Sequence, residues 1–374
     1  MTLAARPSWA IVGGTTDLTR FSDPTSQYYG MNWNYNYYRY ASGSISGGTS
    51  VAIGYFTLLT AAHYYMNVGD TLKVGGDSFR IASIDALAPD TGQGTRTPDI
   101  RVLHVENLTN QYRPLPGFYD LYTGTFSTIN PTTSFVLVGT GDTGSTDNSL
   151  YYTDTAGTRA LRWGTNQYDG SSNYKFTDYK GLPHSTQCIM MSYNKLSYYS
   201  PTFYESGLGI GDSGGGVFVN DGGTWKLAGM NLYRDYYYGD PNKFSIFYAA
   251  SIPTYAARLY NILQYDMLPG DLNLDGNVDA SDFITLKANF GMTGAAWQDG
   301  DFNRDGIVGY DDLLALQTNF NYRSNPHPIM TPPTSTFTST GGEGLPEPGS
   351  VILLAMGATA MLRRRGRQNK RPNS

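Results

Sequence analysis

The sequence predicts a large all-β domain followed by a small all-α unit. Forty-four glycines and 31 tyrosines among 374 residues, with only 15% charged residues, suit a chain rich in strands and turns. Beyond residue 270 a loop-and-helix pattern occurs twice at an offset of thirty residues, which marks a duplicated helical unit. The formal net charge is −5, and no basic face suggests a nucleic-acid partner. Nine aspartates between 270 and 322 face only Lys287 and Arg304, and their regular spacing favours cations. The single Cys188 excludes an intramolecular disulfide and reads as a core residue.

Residues 1–10 are too short and too polar for a complete signal peptide. Ser8 and Ala10 nevertheless fit the end of one, immediately before Ile11, so a residual signal or pro segment is expected there, with its apolar region missing. Tyr28 to Tyr40, rich in aromatics and Asn, reads as an irregular surface segment. Strands follow: two around a Gly turn from Ser46 to Thr60, then Thr71 to Val74, and Ser78 to Ile84. Ser134 to Gly141, Trp225 to Tyr233 and Phe244 to Ile252 supply more. Pro253 to Gln264 reads as a helix, with Pro in its first turn and Leu259, Ile262 and Leu263 on one face.

Gly211-Asp212-Ser213-Gly214-Gly215-Gly216 is the stretch on which the chemistry turns. Glycines let the chain expose a serine hydroxyl in a tight turn and aim backbone N–H groups at one point. A nucleophile needs a base and an orienting acid. Thr60-Ala61-Ala62-His63 offers the base. Asp99, before Ile100 and Leu103, offers the acid, with Asp85 and Asp90 as competitors. With Ile11-Val12-Gly13-Gly14, these motifs resemble the trypsin-like serine proteases over about residues 11–266. That resemblance implies a chymotrypsin-like double β-barrel, peptide-bond hydrolysis by His63, Asp99 and Ser213, and an oxyanion hole from the Gly211 and Ser213 N–H groups. It also implies an ion pair between the freed Ile11 amino group and Asp212, and no cofactor for catalysis. Three places depart from the family: Thr140 replaces a Trp, Gly216 a Pro, and Leu232-Tyr233-Arg234 the usual Ser-Trp-Gly. The specificity-pocket floor falls on Gly207, which implies a neutral pocket, with Glu205 nearby.

The first helical repeat opens Asp271, Asn273, Asp275, Gly276, Asn277, Asp279, Asp282, with oxygen ligands at loop positions one, three, five, seven, nine and twelve and Gly at six. The second places Asp301, Asn303, Asp305, Gly306, Ile307 and Asp312 at the same offsets, with Gly309 at position nine. Residues 270–322 resemble a dockerin, which implies two calcium sites and a cohesin partner. The stretch 323–344, rich in Pro, Thr, Ser and Gly, reads as a flexible linker. Residues 345–374 hold Pro346-Glu347-Pro348, an apolar run of about 18 Å as a helix, shorter than a bilayer core, and Arg363-Arg364-Arg365. They resemble a PEP-CTERM sorting tail. This implies export in a Gram-negative-type bacterium, transient membrane association and an exosortase-type processing enzyme. A second reading is an adhesion or binding protein with a protease-like domain, displayed through the dockerin.

Overall fold

The computed structural model describes residues 19–31, 36–41, 44–74, 77–126, 135–146, 152–155, 159–194, 206–235 and 243–323. The chain divides into two compact units, Met1–Leu268 and Pro269–Ser374. The first is mostly antiparallel β-sheet and the second is helical. Ile11, Glu205, the linker from 324 onward and the basic-ended tail lie outside the described residues.

In the first unit, a short helix α1 (Thr19–Ser22) precedes six strands: β1 (Asn36–Ala41), β2 (Ser44–Ala52), β3 (Thr57–Thr60), β4 (Thr71–Val74), β5 (Asp77–Ala86) and β6 (Arg101–Asn107). They form a closed barrel in the order β1-β2-β3-β6-β5-β4, with Arg39 opposite Leu72 at the closure. The expected strand at Thr71 to Val74 has those bounds, and the one at Ser78 to Ile84 is longer by three residues. A register shift between Ile81 and Ser83 kinks β5, as closing a sheet requires. Leu58, Leu59, Leu72, Phe79, Ile81 and Val102 are fully buried.

The second group of strands is β7 (Phe135–Gly139), β8 (Thr143–Thr146), β9 (Tyr152–Thr155), β10 (Arg162–Asn166), β11 (Gly170–Thr177), β12 (Pro183–Asn194), β13 (Gly216–Asp221), β14 (Thr224–Asp235) and β15 (Lys243–Ser251). Seven of them make one sheet, β10-β7-β13-β14-β15-β12-β11, and β8 pairs with β9 alone. Phe135, Leu137, Ile189, Met191, Leu208, Val217 and Phe247 form its apolar core. Cys188 is buried in β12, where burial pushes its thiol up to about 12 and leaves it inert at neutral pH.

The expectation of an irregular surface segment at Tyr28 to Tyr40 is corrected. Tyr28 is buried, its ring 5.2 Å from that of Trp163, and Phe21 packs on the same indole at 4.6 Å. Asn36 to Ala41 is strand β1. Aromatic rings of this size gain more from packing on a buried indole than from exposure.

The last helix of this unit, α2 (Ile252–Leu263), buries Tyr255, Leu259 and Leu263. The Tyr255 hydroxyl accepts from Gln187 N at 2.7 Å and donates to Asp90 at 3.3 Å, while Arg258 pairs with Asp90 at 2.6 Å. Asp90 is thereby committed to α2, and Asp85 to His104 at 3.0 Å.

Just beyond α2, Asp266 closes the turn between β2 and β3, where Phe56 N–H donates to its Oδ1 at 2.9 Å. Its Oδ2 and the Thr57 hydroxyl are buried with no sound hydrogen bond. Oδ2 would lie 1.9 Å from a Cβ at position 54, so only Gly fits there. Burial pushes the Asp266 carboxyl up to about 6. The folded state therefore holds this proton more tightly than the unfolded chain, and the associated stability is lost as pH rises from about 4 through 6. Asp266→Asn removes that loss, on the order of 3 kcal/mol at neutral pH. A higher Tm at pH 7.5 that vanishes by pH 4 is expected in thermal melts; a pH-independent change contradicts the assignment.

In the second unit, α3 (Ala280–Asn289) and α4 (Tyr310–Asn319) each follow an Asp-rich loop. The backbone repeats at the thirty-residue offset. Positive φ occurs at Gly270 and Gly300, Leu274 and Arg304, Gly276 and Gly306, and Gly291 and Asn321. Val278 and Val308 are buried, as are Leu286 and Leu316. Each loop pairs with the chain after the opposite helix: Val278 N–H donates to Tyr322 O, and Val308 N–H to Met292 O.

Candidate active site

His63 follows β3 through the buried Ala61 and Ala62. Its backbone N–H donates to Asp99 Oδ1 at 2.7 Å, and its Nδ1 lies 2.6 Å from Asp99 Oδ2. Asp99 is fully buried, and its own N–H donates to Thr186 Oγ1 on β12 at 2.8 Å. A carboxylate only accepts hydrogen bonds, so Nδ1 carries the ring proton and Nε2 keeps its lone pair. The structure thus selects Asp99 over Asp85 and Asp90.

Ser213 stands in a turn clamped from both sheets. Thr49 N–H, on β2, donates to Ser213 O at 2.8 Å, and Gly214 N–H donates to Asn231 O on β14 at 2.7 Å. Thr49 Oγ1 donates to Gly211 O at 3.2 Å and accepts from Thr140 N–H at 3.1 Å, with the two threonine hydroxyls 2.8 Å apart. Position 140 is therefore polar and small because it joins a buried hydroxyl pair. Asp212, fully buried, accepts from Gly141 N–H at 2.7 Å and Gly209 N–H at 2.6 Å. Gly216 is explained by Phe218, whose ring would lie 2.2 Å from a Cβ there.

His63 and Ser213 line one cleft of about 460 Å³, walled by Phe176, Tyr179, Leu208 and Tyr233. The Ser213 hydroxyl donates to Leu232 O at 2.9 Å, and among the described residues no hydrogen bond joins it to His63. Catalytic hydrogen bonds are often loose without substrate. Among the described residues, neither the Gly211 nor the Ser213 N–H donates to a protein acceptor.

The floor expected at Gly207 is corrected. A Cβ at 207 would lie 2.0 Å from Phe247 Cζ, so the Phe247 ring occupies that space and the cleft begins at Leu208. A second group beside His63 escaped sequence reasoning. The Tyr65 hydroxyl donates to Asp178 Oδ2 at 2.5 Å, and buried His184 Nε2 lies 3.3 Å from the same oxygen. Burial alone would push Asp178 up, but bonds from Tyr65, Leu182, His184 and Lys180 outweigh it and hold the carboxyl down at about 2. Phe176 bridges the two groups, its ring 6.0 Å from His63 and 5.1 Å from His184. Tyr65 and Asp178 are far apart in sequence, and no local pattern joins them.

In the helical unit, Asp271 accepts from Asp275 N–H at 3.1 Å and Gly276 N–H at 2.9 Å. Asp282 accepts from Leu272, Asn273 and Asp279 N–H groups. Asp301 and Asp312 repeat this pattern at the same offsets. Asn273 and Asn303 each turn Nδ2 to the aspartate two residues on, at 3.0 Å. Asp279 caps α3 through Ser281 N–H, and Asn277 and Ile307 N–H groups donate to Asp275 and Asp305. Among the described residues no three His, Cys, Asp or Glu side chains converge as a metal cluster.

The donor chemistry nonetheless fits a hard cation. Asp271, Asp282, Asp301 and Asp312 are buried, and no ion pair among the described residues reaches them. Burial, reinforced by Asp282 and Asp275, pushes Asp271 up to about 7 against the Gly276 bond. Buried carboxylates of this kind are stabilised by a bound cation.

No protein-family model matches the chain, and no curated protein matches it in sequence. The reading of the cleft therefore rests on its geometry.

Gly214 has φ +89, and a Cβ there would sit 1.9 Å from Thr49 O. Gly214→Ala is expected to cost about 1–3 kcal/mol from the backbone angle alone. A Tm equal to wild type would refute the close approach of Thr49.

Proposed function

We propose that the first unit is a trypsin-like serine endopeptidase with a chymotrypsin-like double-barrel fold. The observation that carries this is the two-bond grip of buried Asp99 on His63, in the cleft that Ser213 also lines. Rotation about the Ser213 side-chain bond turns Oγ from Leu232 O into the cleft, where it attacks a peptide carbonyl. His63 Nε2 takes the hydroxyl proton and returns it to the leaving amine, while Asp99 holds the imidazole and stabilises its charged form. The Gly211 and Ser213 N–H groups receive the oxyanion, each worth about 3 kcal/mol in the transition state. Water then hydrolyses the acyl-enzyme by the same steps. In this reading the Ile11 amino group, freed after Ala10, pairs with Asp212.

A second reading, a binding or adhesion protein with little turnover, is favoured by the Ser213 bond to Leu232 O and by Leu232-Tyr233-Arg234 in the substrate strand. Burst kinetics with a generic ester separate the two. Labelling by a fluorophosphonate probe is expected for wild type and absent for Ser213→Ala, whereas Asp99→Asn is expected to slow turnover by about 10⁴-fold. Labelling that persists in Ser213→Ala refutes the nucleophile.

For the second unit we infer a dockerin. One calcium ion would be held by Asp271, Asn273, Asp275, Asn277 O, Asp279 and Asp282. A second would be held by Asp301, Asn303, Asp305, Ile307 O and Asp312, with one side-chain oxygen fewer because position nine is Gly309. The two-fold repetition of backbone and buried carboxylates supports this, and a cohesin domain is the partner that follows from it. The tail from 345 supports export to the surface of a Gram-negative-type bacterium, with an exosortase-type enzyme processing it. Chelation of calcium is expected to unfold residues 270–322 first, read as a loss of helical circular dichroism. A spectrum indifferent to chelator rules out structural calcium.

A further inference from the structure

A cation stands beside the Ser213 turn that the triad does not use. The Arg159 guanidinium lies against Gly211: a Cβ at 211 would be 3.1 Å from Arg159 Cζ and 3.1 Å from the Gly141 Cα. Arg159 Nε is 3.5 Å from Asp142 Oδ2, and both side chains are largely buried. Asp212 approaches from the other side, its Oδ1 2.7 Å from where a Gly141 Cβ would sit. Tyr64, next to His63, borders the same group. Burial pushes its phenol up, Arg159 beside the hydroxyl opposes the rise, and Asp212 and Asp142 add to it. One guanidinium, two carboxylates and a phenol thus meet where Gly141 touches Gly211.

We propose that Arg159 is a positioning residue of the oxyanion turn. Its guanidinium pairs with Asp142 and braces Gly211, so that the Gly211 and Ser213 N–H groups stay aimed into the cleft. The role rests on the acyl-transfer reading above and acts through the turn, without contact to substrate. Asp142 N–H donates to Ile210 O at 2.7 Å, so a shift of Asp142 on loss of its guanidinium partner passes to the residue before Gly211. Position 211 itself has no slack, since its φ is +100.

The test follows fluorophosphonate labelling rates and ester kcat and KM in the full chain, with thermal melts. Arg159→Gln is expected to lower the labelling rate and kcat by roughly 30-fold or more, the scale of a lost oxyanion donor, with KM changed by less than about threefold. Arg159→Lys, which keeps the charge, is expected to recover most of the rate. Arg159→Gln with Asp142→Asn, which removes the carboxylate that Arg159 pairs with, is expected to recover part of it. Wild type and Arg159→Gln labelling equally fast overturns the inference and leaves the serine reading standing. A wild type that is not labelled overturns both. If Arg159→Gln does not fold, a folded Arg159→Lys as slow as Ser213→Ala overturns the counter-charge role, and one near wild type supports it.

Discussion

The hydrogen bond from Thr49 N–H to Ser213 O joins the closed barrel to the glycine-rich turn that leads into the seven-stranded sheet. Everything near it follows from how closely two backbones must approach. Gly214 takes a left-handed conformation with no room for a side chain against Thr49 O, and Gly215 has none against Val138 O. Asn231 secures the far side, accepting from Gly214, donating its N–H to Gly215 O and its amide to Val138 O. A turn held by backbone bonds on both flanks is fixed in place before any ligand arrives. Packing of this kind makes the run of glycines a steric requirement of the sheet contact.

Buried carboxylates recur through the first unit, and each is satisfied differently. Asp99 accepts from two groups of His63. Asp178 accepts from Tyr65 and two backbone N–H groups, which binds the β11–β12 turn to the segment after His63. Asp212 accepts from the Gly141 and Gly209 N–H groups. Asp266 is raised by burial, which outweighs its hydrogen bonds and keeps its carboxyl protonated toward neutral pH. The first three hold cleft walls in place; the fourth closes a turn of the barrel and weakens it as pH rises.

The helical unit follows a different logic. Its loops are wrapped around Asp271 and Asp301 by backbone N–H groups, and its helices begin on Asp282 and Asp312. The apolar contribution is small, with Leu286, Leu316, Val278 and Val308 at its centre. A unit of this size rarely folds on such a core alone.

The sequence by itself determined what is local. Turn glycines, the thirty-residue repeat of the Asp-rich loops, the strand at Thr71 to Val74 and the helix near Pro253 were legible because their causes lie within a few residues. His63, Asp99 and Ser213 were legible as residue types in motifs. Only the tertiary structure decided between Asp99, Asp85 and Asp90, since β5, β6 and α2 send the latter two to His104 and Arg258. It also placed Phe247 over Gly207, Tyr65 on Asp178, Thr140 against Thr49 and Arg159 beside Gly211. Each of those pairs joins residues tens of positions apart or more. Such contacts are set by which strands become neighbours and in what register, and a one-residue slip turns a side chain to the opposite face.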